Sequence, residues 1–411
     1  MKKVIVIIAF MSVVSLVAGC GGGGGDSWLF PLWIETDVVA TDIDGDDRDD
    51  ALTLAQLSTS MSQREGRLVV YRQTSPGIFA PPETYAVGTY PWKLAVGDID
   101  GDGLLDLVVT DTDGHAVWLL LQNQDNKGTF LSPQQIASGT NIYAAGIADL
   151  NGDGVPDIAI ADCLPGSNQL MLLYQNAVER GAFLPAVNFM LTGTPCNLTS
   201  GDLNNDGHAD LFMWVYLASS GYTPNGEFAI SLRQPNGTLG TTTPLAPQTG
   251  LNVSLLAIVD YTGDGYNDLF AFFTPYSADY NAKITVLLHG AEGDTFSAPV
   301  DTSLTGIQGI DGATIADLNG DDLPDAAVVG FFPAGSPSSV QSKLNLFMQS
   351  GGGAFNLTEV YDMPIAASRV TAGDMNSDGL NDLIVLGDHN QCFVLIQSHR
   401  EPGTFNTPHH L

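Results

Sequence analysis

The chain has 411 residues, with 46 acidic against 14 basic side chains and a formal net charge of -32. That balance excludes a nucleic-acid binder, which needs a basic face against phosphate. Only 15% of the residues are charged and 44% are hydrophobic, so this is no acidic disordered chain; it can bury a large core and must concentrate its acids in a few places.

Lys2 and Lys3 precede an apolar run from Val4 to Ala18, shorter than the roughly 20 residues a spanning helix needs. Residues 1–19 therefore read as an export signal. The run ends in "LVAGC", which resembles the lipobox of bacterial lipoproteins, with Val17 standing where leucine is commonest. The resemblance implies that Cys20 is lipidated and becomes the mature N-terminus; an ordinary signal with Cys20 incidental is the alternative. Residues 20–26 are a glycine-rich tether, and no GK[ST] follows that would make them a phosphate cradle. Residues 27–411 form one domain.

That domain repeats. Seven segments of the type "GDIDGDGLLDLV" start their acidic pattern at Asp42, Asp98, Asp149, Asp202, Asp260, Asp317 and Asp374, 51 to 58 residues apart, which means a repeat architecture. Each repeat runs in the same order. An apolar stretch precedes the acidic loop, as in "WKLAVGD", and a second follows it, as in "DLVVTD". A third has the flavour of "AVWLLLQN". A glycine-to-phenylalanine turn comes next, ending at Phe79, Phe130, Phe183, Phe296, Phe355 and Phe405, with Leu239 as the one substitute; a weaker fourth stretch follows. Short runs of Val, Ile, Leu and aromatics bounded by Gly, Pro, Asn and Asp are strands. The expected fold is all-β: a seven-bladed β-propeller of four-stranded blades. The last repeat stops six residues after Phe405, so "SWLFPLW", from Ser27 to Trp33, is expected to supply its missing outer strand and close the ring.

The acidic spacing is D-x-[D/N]-x-D-G-x-x-D, with oxygen side chains at positions 1, 3, 5 and 9 and a backbone carbonyl free at position 7. Calcium takes six to eight oxygens, so crowded carboxylates that would repel one another become a cage. Without Cys or His the donors select calcium over zinc or copper. The expected ligands are Asp42, Asp44, Asp46, Arg48 and Asp50; Asp98, Asp100, Asp102, Leu104 and Asp106; Asp149, Asn151, Asp153, Val155 and Asp157; Asp202, Asn204, Asp206, His208 and Asp210; Asp260, Thr262, Asp264, Tyr266 and Asp268; Asp317, Asn319, Asp321, Leu323 and Asp325; and Asp374, Asn376, Asp378, Leu380 and Asp382. Up to seven structural ions follow. Asp47 and Asp322 replace the glycine at position 6 and Thr262 replaces an acid at position 3, so the sites at Asp42, Asp260 and Asp317 are expected to be the weaker ones.

These repeats resemble FG-GAP or VCBS-type repeats, best known from the propellers of integrin α-subunits. The resemblance covers Trp28 to His410, with the nine-residue motif as its specific part. It implies that the calcium loop joins the first and second strands of a blade, that the ions are structural, and that partners dock on the opposite face.

Cys163 follows one second strand and Cys196 begins the next first strand, so both fall on that opposite face in adjacent blades. In an exported protein they are expected to pair; two buried thiols are the alternative. Cys392 reads as a core residue. The same face carries uneven, aromatic loops with Tyr90, Trp92, Tyr143, Tyr222, Tyr276 and Tyr280, which suit a protein or glycan partner; the alternative is that they plug the funnel. The function read from these features is a calcium-stabilised module for adhesion to or recognition of a protein or glycan at the bacterial cell envelope, on a monomeric propeller whose only membrane contact is its lipid. Alternatives are a polysaccharide-active enzyme and a structural subunit of an envelope complex. No G-x-S-x-G or H-E-x-x-H motif occurs and the seven histidines are scattered, so no catalytic residues are assigned. Gly21 stands where an aspartate would mark inner-membrane retention, which favours the outer membrane or the cell surface.

Overall fold

The computed structural model describes residues 8–9, 32–60, 63–217, 225–275, 281–290, 295–331, 342–349, 355–364, 366–387 and 391–410. Among these residues every regular element is a strand, and the strands form seven four-stranded antiparallel blades in a ring. Blade two shows the pattern. Its strands are Pro91–Gly97, Asp106–Asp111, Ala116–Leu120 and Gln134–Ser138, hydrogen-bonded in chain order from the axis outward. The second strand, "DLVVTD", is buried at all six positions, whereas the outer strand is mostly exposed or half-buried. A middle strand has a neighbouring blade on each face, so it reads as a continuous apolar run instead of an alternating one.

The inner strands are Leu32–Thr41, Pro91–Gly97, Ile142–Ala148, Thr194–Gly201, Leu251–Val259, Gly309–Ala316 and Ala367–Gly373. Each carries a register shift near its start, which bulges out Thr36, Trp92, Tyr143, Cys196, Ser254, Asp311 and Ser368 in turn. Such a bulge bends the strand and re-aims a side chain. Each acidic loop follows the other end of its inner strand, so the bulges and the loops lie on opposite faces.

The core is divided among the seams. Seven hydrophobic clusters each join two adjacent blades, as Leu52, Leu54 and Leu68 of blade one meet Leu94, Leu107 and Val109 of blade two. Burial by nearest neighbours lets a single domain of this length hold together.

The ring closes differently from the sequence expectation. The outer strand of blade seven is His409–His410, paired with Val394 and Phe393. Leu32 and Trp33, the described end of the segment expected there, instead begin the inner strand of blade one and pair with Ser58 and Leu57; residues 27–31 lie outside the described residues. The second strand of blade one, Asp50–Ser60, runs on far enough to pair with this part of the chain, which holds it on the inner strand. Blades one and seven therefore meet as separate sheets. Their seam is built from Val38 and Ala51 against Met375, Ile384, Leu386, Cys392 and Val394, with Arg369 Nε donating to the Thr36 carbonyl at 2.6 Å. Of the expected export signal only Ile8–Ala9 is described; it pairs antiparallel with Leu256 and Leu255 of blade five.

Candidate metal centres in the acidic loops

All seven acidic loops join the first and second strands of their blades. Within each loop the carboxylates do different work. Position 1 caps the turn: Asp42 Oδ1 accepts from the N–H groups of Gly45 and Asp46 at 2.8 and 3.0 Å, and Oδ2 from Asp47 at 2.8 Å. Position 5 accepts from the N–H of position 7 in every loop, from Arg48 on Asp46 to Leu380 on Asp378. These bonds wind the loop tightly enough for alternate oxygens to face one point. The winding needs positive φ at position 6, where Asp47 and Asp322 take 68° and 64° without glycine. It also needs positive φ at position 4, held by five glycines, Asn205 and Ser377, a requirement that the motif as read from sequence left out.

Position 9 is nearly sealed from solvent: Asp50, Asp106, Asp157, Asp210, Asp268, Asp325 and Asp382 are at most 1% exposed. One oxygen accepts from the N–H of position 2, which for Ile99 lies at 2.8 Å, and the other from an N–H at or just past the end of the third strand, which for Gln122 lies at 2.7 Å. The same pair of bonds recurs in all seven blades. The ninth carboxylate thus ties loop to sheet as well as facing the site. Burial outweighs these hydrogen bonds and raises its pKa, to about 7 for Asp50, Asp325 and Asp382 and to about 6 for Asp106, Asp157 and Asp210. Asp44 and Asp100 at position 3 are also raised, first by burial and next by the neighbouring carboxylates.

Three observations bear on what these loops could hold. Carboxylate oxygens of Asp42, Asp44 and Asp50, of Asp98, Asp100 and Asp106, and of Asp317, Asp321 and Asp325 lie within 4.8 Å of one another. Oδ1 of Asp44, of Asp98 and of Asn376 is shielded from water and has no hydrogen-bond partner. The donors are all oxygen. A hard divalent cation fits such a set. Two of the three convergent loops, the first and sixth, are those with Asp at position 6, so the left-handed turn there does not prevent convergence.

Sequence reading also missed the residues that lock one loop to the next blade. Gln122 Nε2 donates to the carbonyls of Leu105 in its own loop and Ile43 in the preceding one, and its Oε1 accepts from Gly128. Gln175 repeats this with Pro156, Ile99 and Gly181. Gln73 closes the ring the same way, through Asp49 and Asp374 of the last blade's loop. The signal was present as the recurring "QN" or "QS" after the third strand. The glycine-to-phenylalanine turn has a matching cause: a Cβ on Gly128 would lie 2.8 Å from Asp44 Cβ, and one on Gly237 2.1 Å from the Asn151 oxygen.

On the opposite face the structure joins Cys163 to Cys196, with Cα atoms 4.5 Å apart, across blades three and four. Cys392 is a buried free thiol, pushed up by burial and by the Glu35 carboxyl. Trp92 is only 6% exposed; it stacks on Tyr90 at 5.5 Å, meets Tyr143 edge-on at 5.8 Å and lies under the Arg369 guanidinium. This trio is a packed cluster and offers no open indole face. Tyr222, Tyr276 and Tyr280 lie outside the described residues.

A family model described as FG-GAP-like repeat matches residues 42–109, 98–160 and 260–328. Residues 42–160 and 260–328 carry FG-GAP-like repeats. Each matched span starts at one acidic loop, includes the next and ends within the second strand of that next blade, so the FG-GAP-like unit coincides with the blade-to-blade step. No curated protein matches this sequence. One solved structure, "Structure of Dos1 propeller", is similar with a TM-score of 0.45 and 11% identity, over 84% of this chain and 74% of that one.

Proposed function

We propose that this protein is a calcium-stabilised propeller, held at the bacterial cell envelope by a lipid on Cys20, that presents a recognition surface to a protein or glycan. The calcium reading is carried by the shielded, unpartnered oxygens of Asp44, Asp98 and Asn376 inside loops of oxygen donors. A bound cation would satisfy them and relieve the repulsion among carboxylates. The ligands are the side chains at positions 1, 3, 5 and 9 and the carbonyl at position 7. The recognition reading is supported by a rigid ring with uneven loops on the face away from the ions. Its aromatic contribution falls to the loops bearing Tyr222, Tyr276 and Tyr280, because Trp92 is packed away. No catalytic role is proposed.

Two measurements test this on the full chain in detergent. Thermal unfolding in calcium and in EGTA should differ by many degrees: a site with a dissociation constant of about 0.1 mM gains roughly 1.4 kcal/mol at about 1 mM calcium. Identical curves would remove calcium from the account. A glycan array probed in both buffers should show calcium-dependent binding to a defined glycan, whereas silence there directs the search to envelope proteins.

A further inference from the structure

The third loop is approached by a buried charge that comes from the latching position, whereas Arg180, whose guanidinium stands over Gly101 of the second loop, is an exposed turn residue. Five blades end their third strand in the latching glutamine; blade four has Arg233 there. Its N–H holds the ninth carboxylate of its own loop, Asp210, at 2.7 Å. Its side chain crosses the seam into the loop of blade three. Nη1 is 3.9 Å from Asp149 Oδ2, and Nη2 is 2.5 Å from where a Cβ on Gly152 would stand. The side chain is 9% exposed, and its Nε is buried without a hydrogen-bond partner. Asp149 is position 1 of that loop, where its oxygens also cap Gly152 and Gly154. The sixth loop has the same four donors, Asp317, Asn319, Asp321 and Asp325, and brings its carboxylates within 4.8 Å of one another; the third loop is not among the convergent ones.

We infer that Arg233 is a tethered counter-cation of the third loop, neutralising it without a metal ion and lowering its affinity for calcium. This rests on the calcium reading of the loops, and it reverses the sequence expectation that the Asp149 site is among the stronger ones. A guanidinium this close repels a divalent ion while it satisfies the carboxylate.

The test compares the wild-type chain with Arg233→Gln, the residue of five other blades, and Arg233→Met, which removes the charge without adding a hydrogen bond. Native mass spectrometry counts bound calcium across a titration, and melting is followed in EGTA and in calcium. Both variants should bind one more ion, with affinity at that loop raised about tenfold, and Asp149→Asn added to either should abolish the gained ion. Arg233→Met should melt below wild type in EGTA and recover in calcium. Unchanged ion counts, or a variant that is no less stable in EGTA, would overturn the inference. A variant destabilised in EGTA that calcium does not rescue would also overturn it, as Arg233 would then stand in for no ion. A wild-type chain that binds no calcium at any loop marks failure of the underlying calcium reading instead.

Discussion

The ninth aspartate of each loop combines a buried carboxylate with two backbone N–H donors, and both halves of that arrangement have consequences. Replacing Asp106 by Asn keeps the shape but turns one acceptor into a donor facing an N–H group. The expected loss is about 1–3 kcal/mol, read by denaturant unfolding, and a loss below about 0.5 kcal/mol would show that the loop rearranges around the amide. Burial holds the folded pKa values of these groups above the ordinary 3.8, at about 6 to 7 for Asp50, Asp106, Asp157, Asp210, Asp325 and Asp382. A raised folded value gives stability that is fully present below the unfolded pKa and is lost as pH rises through the folded one. In EGTA the melting temperature should therefore fall between about pH 4 and pH 7. Excess calcium should flatten that fall, since a bound cation favours the charged form. A pH profile that calcium leaves unchanged would separate the ninth carboxylate from the ion.

At the scale of the element, the seams depend on a few side chains that bridge blades. Gln175, itself buried, makes three hydrogen bonds, two to carbonyls in different blades and one from Gly181. Gln175→Leu leaves those groups unpaired and should cost about 3 kcal/mol, with the loops of blades two and three gaining hydrogen exchange before the rest. Gly237→Ala should be comparably damaging, because φ there is +80° and the new Cβ would meet the Asn151 oxygen. The Cys163–Cys196 bond closes a span of 33 residues across one seam. Replacing both cysteines by serine should lower stability by about 2–4 kcal/mol, measured with and without reductant, which should affect only the parent.

For the whole molecule, the joint between first and last blades matters most, since it is the seam that no strand-to-strand connection of the chain crosses. It also holds Glu35, 4% exposed, whose two carboxylate oxygens have no hydrogen-bond partner. Burial pushes its pKa up to about 8, so its stabilising neutral form is lost as pH rises through that value. Glu35→Gln should unfold at higher temperature than the parent above about pH 8 and differ little near pH 4, below the unfolded pKa. Equal melting at both pH values would place Glu35 in water.

Sequence alone determined the repeat, the strand order within a blade and the acidic loops, because each depends on local spacing: apolar runs for strands, alternate oxygens for a turn, glycine for a left-handed residue. Cys163 and Cys196 could be matched because the repeat aligned their positions on one face. The tertiary structure decided what depends on a neighbour. Trp92 could not be told from an open platform, since its burial comes from Tyr90, Tyr143 and Arg369, which converge only at the axis. Arg233 reads as an ordinary third-strand residue until the seam sets it beside Asp149. The closing of the ring belonged to the same class: His409–His410 supplies the outer strand that residue count left missing, and the seam is latched from Gln73 to Asp374, two residues 301 apart in the chain that only a completed ring brings together.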